Sequence, residues 1–424
     1  MPITRIHQIK TSDMTDDRES ADTTESRIKR LFTPLLFNMK VGGIFIDKTT
    51  KTGKVPYAVK WFYCIFLSVT FVLDTARYFY VYKDLELLQL SNRSAGIFAL
   101  TVFFAVGPIW VIGFLHLNTS HIPGILTELY LYEERYEWKM DQEYLKKFKR
   151  KVYFSLALGC LSNSVGIGAL LVFLPEQTIL MTVLVGFPYS NVKEKLIPII
   201  FLGVKNIFLT FAMTGLNALV HELMRLIGKE YSEVANKVKS LAEANKTEEI
   251  EEGIEHYRKQ HECLSYILQL SNPILRFGVL VTYSSGIPVM CFLLYGMAQS
   301  GIETIDLIVL LEFVFFSLVG LLYFTLMGAS LSNKAHEVKD VLFQFDLKNL
   351  SEKTIRQLQI FISRVNGPPI GINVYDMFTV DGSSLLMLFG TILTYSIVIF
   401  QTTGPIVCNN TNTSVGISST NITM

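Results

Sequence analysis

The chain has 424 residues, of which 50% are hydrophobic and 18% are charged, and its formal net charge at pH 7 is +1. Soluble domains carry about 25% charged residues, so this composition argues against a soluble protein, and the small net charge argues against a nucleic-acid partner. The histidines and cysteines show no metal-ligand spacing. We therefore expect no metal and no other cofactor. Because no apolar segment presents a cluster of catalytic residues, we also predict that the protein is not an enzyme.

Seven long apolar segments contain most of the hydrophobic residues. A membrane-spanning helix needs about 20 apolar residues, and the seven segments reach that length. The predicted spans lie at about 57–80, 96–117, 152–174, 196–227, 273–297, 305–331 and 383–403. The predicted fold class is all-α, a seven-transmembrane helical membrane protein.

The segments outside the spans define the predicted domain organisation. Residues 1–54 are polar, and we expect a disordered, cytoplasmic N-terminal segment. Residues 55–331 hold the first six predicted spans, with helical extensions at about 118–151 and 225–272, the second of them turning near Asn245. Residues 332–403 hold a further helix and the seventh span, and residues 404–424 form a tail.

The basic residues predict the orientation in the membrane. The N-terminal segment and the three charged loops carry 30 of the 38 Lys and Arg residues, whereas the other loops and the tail carry 4. Cytoplasmic loops are enriched in Lys and Arg, so we expect a cytoplasmic N-terminus and an extracellular C-terminus. Candidate glycosylation sequons lie in segments that this orientation places outside, at Asn92, Asn409, Asn412 and Asn421.

The seventh span ends in a short motif, Thr394-Tyr395-Ser396-Ile397-Val398-Ile399-Phe400-Gln401. It resembles the signature of the insect gustatory and odorant receptor superfamily, in which Thr-Tyr is followed by five apolar residues and Gln-Phe. Thr394, Tyr395 and Gln401 match this signature, but Thr402 stands where Phe is usual. The resemblance therefore points to a divergent, gustatory-receptor-like member.

The resemblance implies a ligand-gated, non-selective cation channel that acts as a chemoreceptor in the plasma membrane. Its partners would be a small-molecule ligand, permeating cations and the lipid bilayer. Four subunits, as a homotetramer or a hetero-oligomer, would line one pore with their last helices and associate through a cytoplasmic helical anchor. The ligand would bind each subunit in an outward-facing pocket among spans two to six.

Helical spacing places weakly polar residues of the seventh span on one face, which we predict to line the pore. These residues are Ser384, Met387, Thr391, Thr394, Val398 and Gln401. Val398, one turn before Gln401, is the predicted hydrophobic gate. The alternative is that the hydroxyl groups bond within their own helix or to a neighbour. Asp376 and Asp381, at the inner end, are predicted either to attract cations or to serve at the start of the helix.

Charged residues inside predicted spans are costly and mark candidate sites. Lys205 and Glu312 lie in the outer parts of spans four and six, where we expect an ion pair or a shared polar pocket for the ligand. Asp74 and Arg77, one turn apart in span one, are predicted to pair locally. Candidate aromatic residues for the pocket wall are Phe104, Phe173, Phe208, Phe292, Tyr295 and Phe316.

Three alternatives remain open at this stage. A metabotropic seven-helix receptor would have its N-terminus outside and other span motifs. A transporter often shows internal repeats, which are not evident here. The amphipathic stretch from Ser351 to Val365 is predicted to be a helix of the cytoplasmic anchor, and its alternative is a helix that lies on the inner leaflet.

Overall fold

The computed structural model of the protein describes residues 27–44, 57–80, 110–111, 113, 121–136, 138, 142–173, 192–244, 246–298, 304–348 and 350–402. Within these residues the secondary structure is almost wholly helical. The elements are α1 (Arg27–Val41), α2 (Tyr57–Tyr80), α3 (His121–Arg135), α4 (Gln142–Phe173), α5 (Val192–Ala244), α6 (Thr247–Ala298), α7 (Thr304–His336), α8 (Val338–Leu342), α9 (Glu352–Val365), β1 (Asn373–Val374), β2 (Phe378–Thr379) and α10 (Gly382–Thr402).

Six of the seven predicted spans coincide with helices, namely α2, α4, α5, α6, α7 and α10. The second predicted span, 96–117, lies outside the described residues except for Trp110, Val111 and Gly113. By length and apolar composition, the parts of α5 and α6 over Ile200–Ala244 and Thr247–Tyr295 qualify as membrane spans among the described residues, and Gly382–Val398 is a shorter apolar helix.

Helices α5 and α6 form the central pair of the fold. They pack against each other and are joined by only two residues, 245 and 246, so the predicted turn near Asn245 is confirmed. Their charged ends pack through small and branched side chains, among them Val234, Val238, Ile250 and Ile254, all at most 3% exposed. The long charged loop is therefore a packed helical hairpin.

Helix α1 is buried against α5, with further contacts to α3 and α4. Leu31, Phe32, Leu35 and Met39 recur at helical spacing and are all 0% exposed. A side chain at Gly215 of α5 would lie 2.8 Å from Met39, so only glycine permits this approach. The prediction of disorder over 1–54 is wrong for residues 27–41, because their apolar residues form one narrow stripe that a polar average composition conceals.

Helix α9 and a β-hairpin connect the charged ends of the bundle to α10. The side chain of Ser351 accepts a hydrogen bond from the Thr354 N–H at 3.4 Å, which confirms the predicted helix start. The hairpin that follows pairs Asn373 with Thr379. Asn272 of α6 holds β1 in place, since its side chain donates to the Asn373 carbonyl at 3.0 Å and accepts from the Asn373 N–H at 3.1 Å.

The burial of α1 can be tested with Leu35→Ala. This change removes a fully buried side chain and should lower the free energy of unfolding by about 2–5 kcal/mol, seen as a lower melting temperature of the purified protein. Phe37→Ala is the control. The Phe37 side chain lies on the outer side of the same helix and is 53% exposed, so its removal should change stability little. Equal melting temperatures for Leu35→Ala and the wild type would contradict this packing.

Candidate functional site

Asp381 fixes the start of α10. Its Oδ1 accepts hydrogen bonds from the Ser383 hydroxyl at 2.6 Å, the Ser383 N–H at 2.9 Å and the Ser384 N–H at 3.1 Å. The bond from the Ser383 hydroxyl, with those from the backbone, lowers the pKa of Asp381. The predicted helix-start role is confirmed, and α10 therefore begins at a defined position.

Asp376 stabilises the turn of the hairpin that precedes α10. It accepts from the Asn373 side-chain amide at 2.8 Å, and its own N–H donates to the Asn373 side chain at 2.8 Å. Tyr375 and Asp376 both have positive φ angles, 52° and 59°. Residues other than Gly, Asn and Asp rarely adopt such angles, so Tyr375 is the unusual one of the two. Cation attraction by Asp376 and Asp381 stays a prediction.

Among the described residues, helix α10 packs mainly on α6 and α7. Leu388 and Ile392 are 1% and 7% exposed and form this contact, whereas Leu386 and Leu393 are 77% and 63% exposed. The part of the chain that the structure describes thus leaves much of the surface of this apolar helix exposed.

Five of the six residues predicted to line the pore are exposed or half-buried on α10, and the sixth is buried. Met387, Thr394, Val398 and Gln401 are exposed, and Thr391 is half-buried. The Thr391 hydroxyl donates to the Met387 carbonyl at 2.7 Å, as the alternative interpretation expected.

Ser384 differs from the expectation, because it is 3% exposed and lies in the capping network of Asp381. The reason is geometric. An α-helix turns about 100° per residue, so Ser384 points about 100° away from Gln401, although the two are joined by steps of three and four residues.

Lys205 of α5 forms a buried ion pair with Asp74 of α2. Their charged atoms are 2.5 Å apart, and the side chains are 5% and 0% exposed. The sequence had suggested Glu312 as the partner of Lys205 and Arg77 as the partner of Asp74. The side chains of Glu312 and Arg77 lie outside the described residues, so both pairings stay predictions. Asp74 and Lys205 both lie in the outer parts of predicted spans, and this shared depth is the sequence feature that is consistent with their pairing.

Three of the six aromatic candidates have described side chains. Phe208, one turn from Lys205, is half-buried and packs edge-on against Tyr63 with 6.4 Å between ring centroids. Phe292 is half-buried and Tyr295 is 8% exposed. Phe104 and the side chains of Phe173 and Phe316 lie outside the described residues, so the complete wall of the predicted pocket stays a prediction.

A buried polar cluster links the charged ends of α3, α5 and α6, and the sequence did not predict it. Tyr132 donates to Glu230 at 3.1 Å and accepts from the Gln260 amide at 2.8 Å. Burial raises the pKa of Glu230. The cluster joins residues up to 128 positions apart, and nothing in their local sequence patterns marks it.

His261 lies in α6 before its apolar segment and is 1% exposed. Its Nε2 lies 3.0 Å from the Ala335 carbonyl of α7, to which it donates, while its Nδ1 has no hydrogen-bond partner among the described residues. Burial lowers the pKa of His261 to about 4, against the opposing effect of the Ala335 hydrogen bond. The neutral form of His261 therefore joins α6 to α7.

A family comparison identifies the class of protein. Residues 34–403 match the family model of the 7tm chemosensory receptors. The chain belongs to the 7tm chemosensory receptor family. It is accordingly a membrane protein, and the family resemblance seen in the seventh span is confirmed.

Solved structures show the same fold as this receptor. The insect olfactory receptor OR5 from Machilis hrabei in complex with eugenol aligns with a TM-score of 0.63 at 18% identity, over 88% of this chain and 97% of that chain. A second structure of OR5 from Machilis hrabei aligns with the same TM-score at 15% identity, over 88% of this chain and 98% of that chain. No curated protein sequence matches the receptor.

The ion pair between α2 and α5 can be tested with Asp74→Asn. This change leaves a buried ammonium group without its carboxylate and should cost about 3–5 kcal/mol, measured as lower surface expression and melting temperature. The double variant Asp74→Lys/Lys205→Asp should recover part of the loss. Glu243→Gln, which removes the partner of the exposed Lys239, is the control and should have little effect. Wild-type behaviour of Asp74→Asn would refute the pair.

The neutral state of His261 predicts acid sensitivity. The unfolded chain takes up a proton near pH 6.5, whereas the folded receptor does so only near pH 4, so stability falls as the pH drops through this window. Through His261, the free energy of unfolding should be about 2 kcal/mol lower at pH 5 than at pH 7. His261→Gln keeps an N–H donor for Ala335 and should flatten the pH dependence of melting. His256→Gln, on the exposed side of α6, should leave it unchanged; an equally steep profile for His261→Gln would rule out this origin.

Proposed function

We propose that the receptor is a ligand-gated, non-selective cation channel that detects a small molecule at the plasma membrane. The observation that supports this most directly is the one-sided packing of α10, whose Leu386 and Leu393 are 77% and 63% exposed. An apolar helix with this much free surface is suited to contact further subunits. A homotetramer would bring four copies of α10 around one axis.

The exposed residues of α10 suit a pore with a hydrophobic gate. Val398 is 46% exposed and lies one turn before the exposed Gln401, with Thr394 and Met387 further along the helix. Four valine side chains in a narrow ring would exclude water and ions, and a small outward displacement would readmit them. The amide of Gln401 would then replace part of the hydration of a passing cation. Because Ser384 is buried, the proposed pore lining begins at Met387.

The proposed ligand pocket lies in the outer half of the helices, near Asp74, Lys205 and Phe208. The ion pair supplies the polar groups and the aromatic ring supplies an apolar wall, which is the usual combination in small-molecule sites. The neighbour OR5 from Machilis hrabei was solved in complex with eugenol, a small molecule. The proposed orientation has the N-terminus in the cytoplasm and the glycosylatable tail outside.

Replacement of Val398 tests the gate. Val398→Ser should raise the current without ligand, because a ring of hydroxyl groups wets a pore that a ring of valines keeps dry. Phe389→Ser is a control, since Phe389 is 47% exposed and, nine residues before Val398, lies on the opposite side of the helix; it should leave basal current unchanged. The measurement is patch recording in a cell without related receptors, with surface tetramers counted in parallel. An unchanged current with tetramers present at the surface would sink the gate assignment.

A further inference from the structure

A cavity of about 910 Å³ lies between α4, α5 and α7 and extends along α5 from Leu209, next to Phe208 of the proposed ligand pocket, to Arg225. Its walls come from the first turns of α4, around Tyr144 to Ser155, from α5 between Leu209 and Arg225, and from α7 between Val319 and Phe324. Its volume lies within the range of about 300–1,000 Å³ that ligand pockets commonly have. No residue predicted from the sequence as a ligand contact lines it.

The charged groups of this cavity are mostly positive. Lys147 and Lys151 of α4 and Arg225 of α5 line it, against one carboxylate, that of Glu222. Glu222 is 2% exposed and already engaged, because its Oε2 accepts from the Tyr144 hydroxyl at 2.6 Å and lies 3.6 Å from Arg225. The guanidinium of Arg225 also lies 4.3 Å from the centre of the Tyr144 ring. This buried carboxylate thus orients Arg225 and Tyr144. Lys147 pairs with Glu143 of its own helix at 2.7 Å, but both side chains are more than half exposed, and such a surface pair is weak. The excess of positive charge in the cavity therefore comes from Lys151, and Lys147 is a second cation that can turn toward an anion.

The surface beside the cavity is apolar. On α4, Phe154 and Leu158 lie one and two turns after Lys151 and are 68% and 53% exposed. On α7, Phe315 and Val319 are 62% and 45% exposed. Basic residues followed at once by exposed apolar residues mark the level at which a helix enters the bilayer. The cavity therefore lies where lipid headgroups lie, and its apolar border continues toward the acyl chains.

We propose that this cavity binds the headgroup of an anionic phospholipid, with its phosphate between Lys147, Lys151 and Arg225 and its acyl chains along the exposed side chains of α4 and α7. Basic pockets between helices at the cytoplasmic surface are suited to phosphorylated headgroups. The leaflet is the cytoplasmic one in the proposed orientation, but lipid binding itself does not depend on channel activity. The same cations would attract a soluble phosphate ester, which lacks the acyl chains that the apolar border accommodates.

Lipid binding to the purified full-length receptor tests this proposal. The probe is a phosphatidylinositol phosphate titrated into receptor in detergent, with retained lipid counted by native mass spectrometry and phosphatidylcholine as the neutral reference. Lys147→Gln/Lys151→Gln should weaken binding roughly 30-fold, since two basic residues near the headgroup are lost. Lys146→Gln/Lys149→Gln removes the same charge from exposed positions of α4 outside the cavity and should leave the affinity unchanged.

Three results would overturn the proposal. Equal weakening by the two double variants would mean that only the overall charge of α4 attracts the lipid. Wild-type affinity in the cavity variant would show that the lipid binds elsewhere. Equal affinity for the water-soluble inositol phosphate headgroup and for the lipid would assign the cavity to a soluble phosphate ester. Matching elution of all variants on size exclusion confirms that they are folded.

Discussion

The fold depends on the packing of two long, uninterrupted helices, α5 and α6, against each other. In a bilayer every backbone N–H and C=O must be satisfied within the protein, which favours continuous helices. Both helices continue without a break from their apolar segments into charged extensions. Because α1 and α8 pack on α5, and α3, α9 and α10 pack on α6, the pair positions the membrane part and the charged part of the receptor together.

Buried polar groups connect this framework at defined levels. The Lys205–Asp74 pair ties α5 to α2, the Tyr132–Glu230–Gln260 cluster ties α3 to α5 and α6, and His261 ties α6 to α7. A buried ion pair adds little net stability compared with apolar packing, but breaking one partner is costly. These groups therefore specify which helices meet more than they strengthen the fold.

The proposed pore helix is attached to the framework at one end and along one side. Asn272 holds the hairpin, Asp381 caps the helix, and Leu388 and Ile392 seat it on α6 and α7. The far end, with Val398 and Gln401, is exposed. In the proposed tetramer, this exposed end would face the neighbouring subunits, while Asp381 fixes the other end within the subunit.

The sequence by itself determined the features that depend on neighbouring residues. Apolar segments gave the positions of six described helices, and the side chains of Ser351 and Asp381 marked helix starts, because capping acts over three residues. The motif Thr394-Tyr395 with Gln401 gave the family. The separation of basic from apolar segments gave the predicted orientation.

Only the tertiary structure decided what depends on distant contacts. The partner of Lys205 lies 131 positions away in the sequence, and the burial of α1 requires the narrow approach at Gly215 of α5. Ser384 could not be assigned to a face from steps of three and four residues, since the small mismatch with the true helical turn accumulates along α10. The cavity between α4, α5 and α7 is likewise invisible in the sequence, because its charges come from two helices and its walls from three.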